Sequence, residues 1–249
     1  MKAVKKDPMR DQQLRAIEAM GLGPIWVRRE VDAPAAMQEQ EPIEDRAATI
    51  AMMPWDRLIE TVSVCRACRL CETRTQTVFG VGPVGENALP HWMIIGEAPG
   101  ADEDARGEPF VGQAGRLLDA MLASVGLSRE RNVFIANVLK CRPPGNRDPA
   151  PDEVAQCLPF LRRQIDLLAP RLILVVGKFA SAALLGREAS IASLRGKEHR
   201  VSIAGRDIPV VVTYHPAYLL RSPQEKAKAW ADLCLAKRIA ESTSAESAA

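Results

Sequence analysis

The chain has 249 residues, 47% of them apolar and 26% charged, with a formal net charge of +2. This is ordinary globular composition, long enough for one large domain or two small ones, and the charge neither demands nor excludes nucleic acid. No apolar run approaches the ~20 residues needed to span a bilayer, and no apolar core follows the basic start MKAVKKDPMRDQQ, so a cytoplasmic protein is expected.

Residues 1–54 read as an N-terminal extension. A short helical patch, DQQLRAIEAMG, precedes PIWVRREV and then DAPAAMQEQEPIEDRAA, which has little to bury and reads as a flexible tether. Only Ile25, Trp26 and Val27 in this stretch are expected to dock on anything. The organised domain is expected over residues 55–240. It begins with DRLIETVSVC, where Leu58, Val62 and Cys65 have helical spacing, and continues into CRACRLCETRT. In WMIIGEAPGADED the apolar run Trp92 to Ile95 is cut off by Gly and Pro, the mark of a buried strand that stops at a tight loop. In an α/β protein, loops leaving the carboxyl ends of strands are where ligands bind.

An amphipathic helix follows, with Leu117, Leu118, Met121, Leu122 and Val125 on one stripe and Gly126 closing it. The strand NVFIANVLKC ends in proline-rich RPPGNRDPAPDE, and a helix runs from about Pro151 to Leu168. Next come the strand RLILVVG, the short helix KFASAALLG and a hairpin in HRVSIAGRDIPVVVTYHP. A charged helix from about Gln224 to Ala240 completes the domain, and residues 241–249, ESTSAESAA, read as a disordered tail. Apolar strands alternating with helices predict a parallel sheet covered on both faces.

Where thiols stay reduced, six cysteines suggest metal or cluster binding before disulfides. Cys65, Cys68 and Cys71 are spaced three apart, Cys141 and Cys157 lie further on, and Cys234 reads as a small buried apolar residue in the last helix. CxxC spacing serves structural zinc and iron–sulfur clusters equally, and the surplus thiol leaves the fourth ligand open. Three further stretches carry polar or aromatic groups in unusual places. Phe110 stands between glycines in GEPFVGQAG, Asn137 interrupts an apolar strand, and His215 follows a buried strand and precedes Pro216. Each alone fits an ordinary structural role. Together with Glu97, at the carboxyl ends of a parallel sheet, they could enclose a planar polar ring.

With these residues in view, the sequence resembles the family 4 uracil-DNA glycosylases, the iron–sulfur branch of the uracil-DNA glycosylase superfamily. The matching pieces are CRAC, VFGVGP, GEAPGADED, GEPFVGQAG, NVLKCRPP, PDEVAQC, RGK and HPAYLLRSP, in the family's order from Val64 to the C-terminal helix. The resemblance implies a three-layer α/β/α sandwich around a mainly parallel four-stranded sheet. It implies a 4Fe–4S cluster on Cys65, Cys68, Cys141 and Cys157, with Cys71 a bystander. It places Glu97 at the attacking water, beside Gly96, and Phe110 at the base-stacking position. Asn137 falls at the uracil-reading amide, and Glu103 where the 5-methyl group of thymine is blocked. His215 would bond uracil O2, and the Ala217–Ser222 loop would enter the duplex, with Leu219 or Leu220 as wedge and Arg221 on phosphate. A related branch attaches to its product through a His on an Arg-rich insertion; residues 138–156 contain no His, so that behaviour is not expected.

The expected partner is uracil-containing DNA, the expected state a monomer, and the N-terminal extension is a candidate contact for a replication or repair protein. Two competitors stand beside this reading. One is a non-catalytic Fe–S accessory protein of DNA replication or repair; the other is a zinc-stabilised nucleotide hydrolase.

Overall fold

Four parallel strands and one antiparallel edge strand form the sheet, in the order β2-β1-β3-β5-β4. The strands are β1 (Trp92–Gly96), β2 (Val133–Asn137), β3 (Leu172–Val176), β4 (Glu198–Ile203) and β5 (Arg206–Thr213). This computed structural model describes residues 19–20, 43–85 and 92–246, without the side chains of 43–44 and 243–246. The chain separates into two units, Met1–Gln40 and Glu41–Ala249, and the second carries everything that follows. The expected N-terminal helical patch, apart from Ala19 and Met20, and the Ile25–Val27 patch lie outside the described residues.

The inner strands are buried on both faces, so their alternate residues divide between two cores. Trp92, Ile94, Val133, Ile135, Leu172 and Leu174 pack on one side with helices α4 (Gln113–Ser124) and α9 (Lys226–Glu246). Met93, Ile95, Phe134, Ala136, Ile173 and Val175 pack on the other with α5 (Pro151–Leu168), α6 (Lys178–Leu185) and the short α7 (Ile191–Leu194). This gives the expected α/β/α layering. The antiparallel β4, first arm of the expected hairpin, adds a fifth strand beside the four parallel ones. No described helix is long and apolar enough to cross a membrane.

Ordered packing starts ahead of Trp55. Helix α1 (Ile43–Ala51) precedes α2 (Trp55–Ser63), and Ile50 is buried with Leu58, Val62 and Phe160. Arg163 of α5 also donates to the Met53 carbonyl at 2.7 Å. The flexible tether expected up to residue 48 is therefore corrected over 43–48, where α1 begins: one well-placed isoleucine gives an otherwise polar stretch a face to bury. At the other end, α9 continues to Glu246, because ESTSAE contains neither Gly nor Pro to stop it. The tail expected from residue 241 is helical over its first six residues.

All four parallel strands end at the same edge of the sheet. Glu97 leaves β1, Asn137 ends β2, Gly177 leaves β3, and His215 lies two residues beyond β5. That shared edge positions the site.

Candidate active site

Glu97, Asn137 and His215 line one cavity of about 500 Å³, together with Glu103, Phe110, Arg147 and Arg221. Its size is that of a small-molecule or base pocket. β1 and β2 set its floor, where Gly96 pairs with Asn137 in register. A Cβ on Gly96 would lie 2.4 Å from Asn137 Oδ1 and 2.7 Å from the Phe110 ring, so only glycine lets amide and ring approach this closely.

Phe110 is held in a conformation that bulky residues avoid, with φ +55°. Three contacts impose it. The Glu103 carboxylate, in the first turn of helix α3 (Ala101–Arg106), accepts from the Val111 and Gly112 N–H groups at 3.0 and 3.2 Å and from Gly100 N–H at 3.1 Å. Arg129, paired with Asp119, donates to the carbonyls of Pro109 and Phe110. Gly115 allows α4 to close on the Phe110 carbonyl, which a Cβ would meet at 1.7 Å. The ring then stacks on the His215 imidazole, centroids 5.5 Å apart. Glu103 thus binds together the two loops that carry Glu97 and Phe110.

Asn137 is 2% exposed, and its side-chain amide makes no hydrogen bond among the described residues. An internally satisfied strand asparagine would not look like this. Its backbone carbonyl accepts from Lys140 Nζ at 2.8 Å, and Lys140 also donates to Gln164 Oε1 at 2.6 Å. Lys140 is fully buried, and that burial pulls its ammonium down to about 8. Sequence reading passed over this lysine and Arg129; the signal for the first was a cation at the end of the apolar run FIANVL.

His215 caps helix α8 (Pro216–Arg221), its Nδ1 accepting from Ala217 N–H at 3.1 Å. Burial, reinforced by Arg221, lowers its pKa to about 4. At neutral pH the ring is therefore uncharged, and with Nδ1 occupied as an acceptor the proton sits on Nε2. Glu97 is perturbed the other way. Burial, with Asp148 adding repulsion, raises it to about 7.

The segment after His215 is a helix rather than an open loop. Leu219 is 1% exposed and packs in the core with Leu118 and Leu233, so the expectation that it enters the duplex is corrected. Leu220 is half-buried, while Tyr218 and Arg221 are exposed and line the cavity mouth.

Beside the cavity, Cys65, Cys68, Cys71, Cys141 and Cys157 line one narrow void, and none forms a disulfide. Cys234 sits apart, half-buried on α9. Burial pushes Cys157 up to about 12 and Cys68 to about 11. Three sulfurs receive N–H donors: Cys65 from Arg46, Cys141 from Arg74, and Cys157 from the Lys140 backbone. Among the described residues no three His, Cys, Asp or Glu side chains converge as a single ion requires. Thr75 N–H, just past the cysteine loop, donates to buried Asp104 on α3 and so ties the void to the site.

The model of the uracil DNA glycosylase superfamily matches residues 83–234. The chain is 44% identical to a type-4 uracil-DNA glycosylase of Archaeoglobus fulgidus over 68% of its own length and 84% of the relative. It is 42% identical to one of Pyrobaculum aerophilum, over 74% of its length and 93% of the relative. A type-5 uracil-DNA glycosylase of the same organism is 30% identical over 66% and 76%. By this match and the geometry at the strand ends, the chain belongs to the uracil-DNA glycosylase superfamily.

Proposed function

We propose that this chain is a type-4 uracil-DNA glycosylase, which extrudes uracil from DNA and hydrolyses its N-glycosidic bond to leave an abasic site for base excision repair. The observation that carries this reading is the convergence of Glu97, Phe110, Asn137 and a neutral, Nε2-protonated His215 on one base-sized cavity. An accessory protein that only bound DNA would have no use for it. Uracil in a mispair is the least costly base to extrude. Arg221, exposed at the cavity wall, suits phosphate, and Leu220 or Tyr218 suits the gap left in the stack.

Phe110 and His215 stand too close to admit a base between them; in this reading the base stacks on Phe110 and turns its O2 edge to His215. The Asn137 amide, which lines the cavity, reads the polar edge, offering both a donor and an acceptor. Glu103, fixed by three backbone bonds, blocks the 5-position. As the bond to the sugar breaks, electrons pass onto uracil, and the Nε2–H of His215 stabilises the negative charge at O2. A preorganised donor of this kind contributes ~3 kcal/mol in the transition state. Water adds to the sugar carbon, oriented by the Glu97 carboxylate.

The all-thiol donor set and its N–H···S bonds fit a 4Fe–4S cluster on Cys65, Cys68, Cys141 and Cys157, with Cys71 outside the ligand set. Such a cluster supplies metal–thiolate bonds that tie the cysteine loop to the segment after β2. The reading is tested with an oligonucleotide containing one uracil, placed opposite G, opposite A and single-stranded. Alkali-labile breaks at the uracil are expected; their absence in all three, with iron-replete protein, would overturn it.

A further inference from the structure

Arg46 lies on α1, ahead of the region matched by the superfamily model, which begins at residue 83. Its Nη2 donates to Cys65 Sγ at 3.3 Å, and its guanidinium sits 4.9 Å from the centroid of Phe160, a residue lining the thiol void. Its Nε is buried and has no hydrogen-bond partner. Among the described residues no carboxylate pairs with it. Arg46 as a whole is half-buried, and a guanidinium keeps its proton, so its partly desolvated charge gains from negative charge nearby. Neutral thiols do not provide that charge, whereas four thiolates around an iron–sulfur core do. The unpartnered Nε is a donor whose acceptor is still to be supplied.

We propose that Arg46 is a positioning and charge-compensating residue of the cluster site, donating to the ligand sulfur of Cys65, so that α1 helps set the cluster's reduction potential and its resistance to oxidative loss. This rests on the cluster reading given above. Reduction adds negative charge, which a nearby cation and N–H donor stabilise, and the same contacts shield a thiolate from oxidants. Loss of Arg46 therefore disfavours the reduced form and speeds bleaching in air.

The test uses the full-length protein purified without oxygen, with iron and labile sulfide assayed and absorbance followed near roughly 400 nm. Wild type is compared with Arg46→Gln, Arg46→Lys and, as a control, Arg57→Gln, whose side chain is exposed in a surface pair with Glu60. In a mediated redox titration, Arg46→Gln is expected to lower the ratio of reduced to oxidised cluster about tenfold at the wild-type midpoint, a shift of about 59 mV for a one-electron couple. Arg46→Lys, which keeps the charge without the planar fork, should fall between, and Arg57→Gln should match wild type. Bleaching in air should be faster in the same order. A folded Arg46→Gln protein with wild-type midpoint and bleaching rate overturns the proposal. If that variant does not fold, wild-type values in Arg46→Lys do so instead. Wild-type protein that binds no iron overturns the cluster reading itself, a distinct result.

Discussion

His215→Asn separates the two roles of this residue. The imidazole caps α8 through Nδ1 and is proposed to act on the base through Nε2–H. Asn is among the best N-cap residues, and its Oδ1 replaces Nδ1 as acceptor for Ala217 N–H, whereas Ala at the cap costs roughly 0.5–2 kcal/mol. The variant should therefore unfold within about 1 kcal/mol of wild type. Its shorter side chain leaves the Nε2 position empty. Removing one preorganised donor to a developing anion lowers the rate by about 10²–10³, or about 2.7–4 kcal/mol. The assay is single-turnover uracil release from a U·G duplex, resolved on a denaturing gel after alkali, between pH 5.5 and 9. With the imidazole pulled down to about 4, no protonation of His215 should appear in that range. Two results would refute the reasoning: a rate loss under tenfold, or a wild-type limb near pH 6.5 that disappears in the variant, which would make the working species an imidazolium.

Glu97, raised to about 7 from an ordinary 4.5, should shape the pH profile instead. If its carboxylate orients the water, uracil release rises with pH through about 7, and Glu97→Gln is slower with no such limb; a limb that survives the substitution assigns it elsewhere. Between those two values the folded protein keeps a proton that the unfolded chain releases, so this group's contribution to stability falls as pH rises. Glu97→Gln should accordingly melt above wild type at pH 8, by calorimetry. Gly96→Ala places a methyl against Asn137 Oδ1 and Phe110 at sub-contact distances. We expect it to cost roughly 1–3 kcal/mol by overpacking and to suppress uracil release; wild-type turnover would show that the pocket floor tolerates displacement.

The layered fold was readable along the chain because its strands are short apolar runs bounded by Gly, Pro and polar turns, and its helices carry clear stripes. WMIIG and RLILVVG each announce burial on both faces, and Pro151 to Leu168 forms one helix as its pattern predicts. The residues at the strand ends were likewise visible, since a Glu, an Asn and a His each interrupt or end an apolar run. Their meeting was not readable, because periodicity says where a strand lies and not which strand is its neighbour. The order β2-β1-β3-β5-β4 brings Asn137, Glu97 and His215 to one cavity. Tertiary contacts also decided what single side chains do there. Leu219 looked like an exposed wedge until α8 turned it into the core. Asp104 and Glu103, neighbours in an acidic run, separate into a link to the cysteine loop and a clamp on the Phe110 loop. Protonation states belong to the same class: Glu97 and His215 depart from their ordinary acidities in opposite directions because both are desolvated, and desolvation exists only once the chain has folded.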